Sequence, residues 1–193
     1  MSLNQPLRAV GIVSGGLDSL LAVRVMLNAG ADVHAVFFKT ALWEKSIDIP
    51  VPSEHRSRFY LQTVDITEDF LDMLRYPKYG RGTAFNPCID CKAFMLSKAR
   101  EIMEEMDADV VFTGEVLGQR PMSQTKRAMQ LIEREAGLEG RLLRPLCARR
   151  LPPTLAEQEG RIDREQLLDF QGRSRQPQIE LAEDLVMEDI PGS

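Results

Sequence analysis

Short apolar runs and amphipathic stretches alternate along the first three quarters of the chain. The apolar runs predict β-strands at residues 7–13, 32–38, 59–65, 110–113 and 142–143. The stretches between them have apolar residues three and four positions apart, which predicts helices at residues 19–29, 68–74, 87–106 and 123–136. This alternation is typical of an α/β fold, a doubly wound parallel sheet with helices on both faces.

The character of the sequence changes at Cys147. Two further short helices are predicted beyond this point, at residues 163–171 and 178–186. We expect residues 1–146 to form the main domain and residues 147–193 to form an arginine-rich C-terminal appendage that is not an independent domain. Its arginines, together with Arg144, are either contacts for RNA phosphates or a solvated basic face.

Composition narrows the class of protein. A chain of 193 residues is long enough for one α/β domain with a substantial core. The net charge of −5 argues against a chain that binds nucleic acid over its whole surface. The sequence contains no apolar run of about 18 residues, so no membrane span is predicted. Three cysteines, an odd number, argue against a disulfide framework and favour a cytoplasmic location.

A glycine-rich turn lies between the first predicted strand and the first predicted helix. Its sequence is Ser14-Gly15-Gly16-Leu17-Asp18-Ser19. Adjacent glycines let successive N–H groups point into one concavity, and the start of the helix adds its positive dipole end. Asp18 would repel a bare phosphate, but it is suited to a site in which Mg²⁺ bridges it to phosphates.

This turn resembles the Ser-Gly-Gly-x-Asp-Ser loop of the PP-loop ATP pyrophosphatases and matches every fixed position. In that family the loop binds the pyrophosphate of ATP while the α-phosphate is attacked. The resemblance implies that the cofactors are ATP and Mg²⁺, that residues 14–19 bind the nucleotide, and that Asp18 is catalytic. It also implies that the adenine lies against the backbone near residues 36–38, which include Phe37.

A second candidate site is the pair Cys88 and Cys91, followed by Lys92, at the start of the helix predicted from residue 87. The two thiols are three residues apart and therefore share one face of the helix. A helix N-terminus and a neighbouring lysine lower a thiol pKa, so we expect one cysteine to be partly thiolate. Such a thiolate could carry sulfur or bind a soft metal, and with Cys147 the pair could hold an iron–sulfur cluster. The alternative is three small buried apolar side chains.

The cysteine pair and a later segment resemble the sulfur-inserting branch of the PP-loop superfamily, the tRNA 4-thiouridine synthases and 2-thiouridylases. Residues 113–119 read Thr-Gly-Glu-Val-Leu-Gly-Gln and are similar to the Thr-Gly-Glu-Ser-Leu-Gly-Gln pattern of the 4-thiouridine synthases. The resemblance implies that Gly114, Glu115 and Gln119 contribute to nucleotide binding, and that Cys88, Cys91 and Lys92 are catalytic.

The activity that the resemblance implies is adenylation of a uridine carbonyl, followed by insertion of sulfur carried at the cysteines. The expected partners are tRNA, bound through an additional domain or subunit, and a sulfur donor protein or sulfide; a homodimer is one candidate assembly. Three alternatives remain open. They are small-molecule sulfur transfer, an amide- or nitrile-forming ligase with the same loop, and a module that binds ATP without cleaving it.

Overall fold

A computed structural model describes residues 5–40, 47–80 and 88–185. The strands are β1 (Arg8–Val13), β2 (Asp32–Lys39), β3 (Phe59–Asp65), β4 (Val110–Thr113) and β5 (Leu142–Leu143). The α-helices are α1 (Leu17–Asn28), α2 (Thr67–Arg75), α3 (Cys88–Glu105), α4 (Lys126–Glu135), α5 (Leu155–Gln158) and α6 (Gln176–Asp184). Short 3₁₀ helices occupy Ser53–Arg58, Ala148–Arg150 and Arg164–Gln166.

The five strands form one parallel sheet in the order β3-β2-β1-β4-β5. Both faces are apolar because the central strands bury consecutive side chains: Ala35 faces the layer that contains α1 and α6, and Val36 faces the layer of α2, α3 and α4. Gly11 in β1 makes room for the Phe112 ring of β4, which would lie 2.2 Å from a β-carbon there. The predicted doubly wound α/β fold is confirmed.

The predicted strands agree with the structure to within one residue at each end, and most helices agree to within three. One predicted helix is wrong. Residues 163–171 form only the short 3₁₀ turn Arg164–Gln166, after which the N–H groups of Leu168 and Phe170 bond to carbonyls of Pro145 and Leu146. The backbone therefore pairs with the chain that follows β5 instead of with its own preceding turn.

The segment after β5 contributes to the core of the molecule. Ile162, Leu167 and Ala182 are buried in the same apolar cluster as α1. Helix α6 packs against α1, and the N–H of Gly172 donates to the carbonyl of Leu117 at 2.8 Å. The C-terminal segment thus lies beside the turn that follows β4. Among the described residues, no helix is long and apolar enough to cross a membrane.

Candidate functional site

A cavity of about 400 Å³ opens at the carboxyl ends of β1, β2 and β4. This edge of a parallel sheet is where ligands bind in doubly wound folds. Eight of the residues predicted for the site line the cavity: Ser14, Asp18, Ser19, Phe37, Cys91, Lys92, Gly114 and Glu115. Residues at or just after the carboxyl ends of three different strands therefore meet in one space together with one face of α3.

The loop between β1 and α1 forms the floor of the cavity. Gly15 has a φ of 77°, a left-handed conformation that favours glycine. The Ser19 hydroxyl donates to the carbonyl of Gly16 at 2.8 Å and accepts the N–H of Ser14 at 3.3 Å. Because α1 begins at Leu17, two residues earlier than predicted, the amides of Leu17 and Asp18 have no carbonyl one turn before them in the helix. Leu17 itself points into the core, so only its backbone could contact a ligand.

The turn after β4 lies directly against this loop. A β-carbon on Gly114 would stand 2.4 Å from the carbonyl oxygen of Asp18 and 2.7 Å from the nitrogen of Ser19. Only glycine permits that approach. Gly114 therefore acts through the absence of a side chain: it lets the two motifs come together at backbone distance.

The Asp18 carboxylate is only half occupied by protein partners. Its Oδ2 accepts a hydrogen bond from Nε2 of Gln119 at 2.8 Å. Its Oδ1 is buried and accepts no hydrogen bond from any residue that the structure describes. A buried carboxylate oxygen without a partner is costly unless a ligand completes it. Asp18 thus presents one free acceptor in a cavity-lining side chain.

The Glu115 carboxylate differs from that of Asp18 in that a cation lies beside each of its oxygens. Its Oε1 is 2.7 Å from the Lys92 ammonium, and its Oε2 accepts from Nε of Arg144 at 3.1 Å. Arg144 is 3% exposed and also pairs with Glu133 at 3.0 Å. Arg144 is therefore an internal partner of Glu115, and the idea that it contacts RNA at the surface is wrong.

The two cations determine the ionisation of Glu115. Burial by itself would raise the pKa of this carboxyl, but Lys92 and Arg144 outweigh burial and lower the pKa to about 2. Glu115 is thus a carboxylate at any physiological pH. Each of its oxygens lies at ion-pair distance from a cation, which is not so for Oδ1 of Asp18, so Glu115 fixes the positions of Lys92 and the β4 turn.

Cys91 lines the cavity beside Lys92, whereas Cys88 does not line it. Both cysteines are free and partly buried at the start of α3. Residue 87, at which this helix was predicted to begin, lies outside the described residues. Burial raises the pKa of the Cys91 thiol and outweighs Lys92. The expectation of a lowered pKa is wrong for Cys91, because the burial of the thiol has a larger effect than the charge of Lys92.

Cys147 lies behind the Glu115 backbone. It is fully buried, its thiol donates to the Glu115 carbonyl at 3.3 Å, and burial raises its pKa to about 11. No group of three or more His, Cys, Asp or Glu side chains in residues 5–40, 47–80 and 88–185 could hold a metal ion. The structure therefore does not bring Cys147 together with Cys88 and Cys91, and the described residues do not fit a three-cysteine cluster.

Sequence reasoning missed several residues of the site. Met95 and Thr113 line the cavity, and Gln178 from α6 donates to Gln119 at 3.1 Å. The role of Arg144 also went unrecognised, although a charged residue directly after the buried pair Leu142-Leu143 was a usable signal. Of two further cations that follow β4 in the chain, Arg120 lines the cavity and Lys126 does not.

Comparisons with known proteins agree with this geometry. The family model described as "Thiamine biosynthesis protein (ThiI)" matches residues 6–150, about three quarters of the chain. The chain belongs to the ThiI family. The prediction of a PP-loop protein resembling tRNA thiolation enzymes is thereby confirmed.

Two curated relatives of this ThiI-family chain have names that describe enzymes acting on tRNA. One is a probable tRNA sulfurtransferase of Methanocaldococcus jannaschii, 27% identical over 70% of this chain and 35% of its own length. The other is a tRNA-specific 2-thiouridylase of Desulfosudis oleivorans, 32% identical over 58% of this chain and 32% of its own. The chain therefore spans about a third of the length of these relatives.

A solved structure gives a matching fold. It is a 4-thiouridine synthetase–RNA complex with bound ATP, with a TM-score of 0.54 and 26% identity over 72% of this chain and 36% of that one. The family match ends at residue 150, so α5 and α6 lie beyond it.

Proposed function

We propose that this chain is the ATP-binding and base-activating part of a tRNA sulfurtransferase that forms thiouridine. The observation that carries the proposal is a single cavity lined by the Ser14–Ser19 loop on one side and by Cys91 on the other. A loop for leaving phosphates and a thiol within one space are what activation followed by sulfur insertion requires. The similarity to a tRNA sulfurtransferase and to an ATP-bound synthetase–RNA complex supports this assignment.

The two ends of ATP would bind to different walls of the cavity. The triphosphate would bind at the amides of residues 15–18 and the positive end of α1. The adenine would lie against Phe37, which is near the carboxyl end of the neighbouring strand β2 and lines the same cavity. Arg120 also lines the cavity and is suited to the charge that develops as pyrophosphate leaves.

Magnesium fits this site because of the unpaired oxygen on Asp18. Oδ1 is buried without a partner among the described residues, and Mg²⁺ prefers carboxylate oxygens shared with phosphates. Asp18 would hold the ion, which when bound would neutralise charge on the triphosphate. Gln119 keeps the other oxygen engaged and so orients the carboxylate.

The first step forms one bond and breaks one. The carbonyl oxygen of a uridine attacks the α-phosphorus of ATP, and the bond from that phosphorus to the bridging oxygen breaks with release of pyrophosphate. The base is then O-adenylated, and its carbon is open to a nucleophile. The chain contributes mainly position and charge neutralisation, as is general for phosphoryl and nucleotidyl transfer.

The second step replaces oxygen with sulfur. A persulfide on Cys91 attacks the activated carbon, and the carbon–oxygen bond breaks with release of AMP. The Cys88 thiol, three residues earlier, then attacks the Cys91 sulfur and frees the thiouridine, which leaves a Cys88–Cys91 disulfide. The cycle is restarted in one of two ways. Either an external thiol reduces the disulfide and a donor protein then transfers the outer sulfur of its own persulfide to Cys91, or sulfide attacks the disulfide at the Cys91 sulfur, which regenerates the Cys91 persulfide and releases the Cys88 thiol.

Capture of tRNA requires cations that are free to contact phosphates. Several C-terminal arginines are paired: Arg161 with Asp109 at 2.8 Å, Arg150 with Asp169 at 3.1 Å, and Arg164 with Glu157. We therefore propose that tRNA is captured by an additional domain or subunit. A homodimer is one candidate assembly, and the proposed location is the cytoplasm.

The direct test is to supply α-labelled ATP with one acceptor at a time and to measure AMP. In vitro transcribed tRNA, which has no modified nucleosides, should give AMP and pyrophosphate, and carboxylate acceptors should not. AMP formed with a carboxylate but not with tRNA would favour the ligase alternative. AMP with neither acceptor, in the presence of Mg²⁺ and a sulfur source, would contradict the proposal.

The cysteine assignment is tested with three variants. Cys91→Ser should still form AMP from ATP and tRNA but should yield no thiouridine by mass spectrometry of the digested RNA. Cys88→Ser should stop after one turnover at most. Cys147→Ala is the matched control and should keep both activities, since its thiol faces the Glu115 carbonyl and not the cavity. Thiouridine formation by Cys91→Ser at the wild-type rate would exclude Cys91 as the sulfur carrier.

A further inference from the structure

We propose that Gln178 is a positioning residue for the Asp18 carboxylate and acts through Gln119. Gln178 lies on α6, beyond residue 150 where the family match ends. Its Nε2 donates to Oε1 of Gln119 at 3.1 Å, and Nε2 of Gln119 donates to Oδ2 of Asp18 at 2.8 Å. The inference rests on the proposed function, in which Asp18 holds the metal of the nucleotide.

The two bonds fix which way the Gln119 amide faces. A carboxylate only accepts hydrogen bonds, so Gln119 must present its NH₂ group to Asp18. The amide oxygen then faces Gln178, whose NH₂ group satisfies it. A flip of the Gln119 amide would place two acceptors against each other at Asp18 and two donors against each other at Gln178. Gln178 therefore disfavours the flip and keeps Oδ2 of Asp18 occupied.

The burial of Gln178 indicates a role beyond filling space. Its side chain is completely buried, yet its own Oε1 has no hydrogen-bond partner among the described residues. A leucine or methionine would fill the same volume without leaving a buried polar atom unpaired, which makes glutamine a costly choice for packing alone. Its NH₂ group is the part that is used, and that group is directed at Gln119.

The surrounding contacts hold α6 in place for this role. Gly172 donates to the Leu117 carbonyl at 2.8 Å, and residues Leu117 and Gln171 form a parallel bridge. Ala182, one turn beyond Gln178 on α6, is buried in the core that contains α1. The C-terminal segment is thus attached both to the turn that carries Gln119 and to the helix that carries Asp18.

Three variants separate positioning from packing. Gln178→Met keeps the length of the side chain and removes the donor. Gln178→Glu offers only acceptors and should turn the Gln119 amide toward itself, with its oxygen toward Asp18. Gln176→Met is the matched control on the same helix, because Gln176 is exposed and its amide donates to Glu180.

The first measurement needs no ligand. The side-chain amide resonances of Gln119, identified as those absent from Gln119→Met, should shift in Gln178→Met and shift further in Gln178→Glu. They should be unchanged in Gln176→Met. Unchanged Gln119 resonances in both Gln178 variants would overturn the proposal whether or not the protein thiolates tRNA.

The second measurement is the Mg²⁺ concentration that half-saturates binding of a non-hydrolysable ATP analogue. Gln178→Met should raise that midpoint about 3- to 10-fold, and Gln178→Glu should raise it more. In a Gln119→Met background, Gln178→Met should not raise the Mg²⁺ midpoint any further, because Gln178 is then no longer connected to Asp18 through the Gln119 amide. Additive effects, or a loss of thermal stability with an unchanged midpoint, would overturn the positioning role. Failure of the wild type to bind the analogue would instead overturn the proposed function, and the resonance test would still decide the role of Gln178.

Discussion

Two carboxylates line the same cavity and differ in the protein partners of their oxygens. Glu115 has both oxygens paired with buried or half-buried cations, whereas Asp18 has one oxygen on Gln119 and one without a described partner. A saturated carboxylate stabilises its surroundings, and a half-saturated one is available to a ligand. We therefore expect substitution of Asp18 to affect mainly activity and substitution of Glu115 to affect mainly stability.

The largest expected effect is on the activity of Asp18→Asn. This nearly isosteric change removes the charge that would hold magnesium and should slow formation of AMP about a hundredfold or more. Thermal unfolding should stay within a few degrees of the wild type. Asp32→Asn, at the amino end of β2 and away from the cavity, is the control and should leave both quantities unchanged. Full activity in Asp18→Asn would contradict the expectation that Asp18 serves mainly in activity.

The next effect is on the stability of Glu115→Gln. Neutralising Glu115 leaves Arg144 and Lys92 facing a group without charge, and loss of one partner in a buried ion pair costs about 3 kcal/mol or more. Urea denaturation should show this loss in the free energy of unfolding. The exposed change Glu139→Gln should alter it by about 0.5 kcal/mol at most. A stable Glu115→Gln protein that has lost activity would mean that Glu115, too, acts on the ligand.

A smaller effect is expected in the dependence of stability on pH. The pKa of Glu115 falls from 4.5 to about 2 on folding, so its contribution is present above pH 4.5 and is lost as the pH falls toward 2. The difference in unfolding free energy between the wild type and Glu115→Gln should therefore shrink across this window. Other carboxyl groups titrate in both proteins and cancel in the difference. A difference that stays constant down to pH 2 would contradict the assigned pKa.

The smallest effect concerns the reactivity of Cys91. Burial raises the pKa of this thiol, and alkylation requires the thiolate, so the rate should rise at a higher pH than for an ordinary cysteine. The test is the rate of reaction with iodoacetamide in a protein with Cys88→Ser and Cys147→Ala, against a short unstructured peptide with one cysteine. If the pH at the midpoint of the rate profile is below that of the peptide, the thiol pKa is lowered and the sequence-based expectation of an activated thiolate is correct.

Much of the fold and about half of the site could be predicted from the sequence, because these parts depend on local backbone conformation. The β-strands were recognisable from continuous apolar runs, and the loop at Gly15 from its adjacent glycines, since these features act through local conformation. Gly114 was selected by its motif, although its close approach to Asp18 required the structure.

The remainder depended on pairings between distant side chains. Nothing local in the sequence indicates that Arg144 lies beside Glu115 or that Gln178 lies beside Gln119, residues that are 29 and 59 positions apart. The thiol pKa of Cys91 was misjudged for the same reason. The helix terminus and Lys92 were visible in the sequence, but the pairing of Lys92 with Glu115 and the burial of the thiol were not.

Every step of the proposed reaction requires that the β1–α1 loop and Asp18 bind the phosphates of ATP through magnesium. The most direct measurement is a crystal structure with a non-hydrolysable ATP analogue and Mg²⁺. We predict phosphate oxygens at the amides of residues 15–18 and the metal on Oδ1 of Asp18. An analogue bound elsewhere, or a cavity that stays empty at saturating nucleotide, would contradict the account.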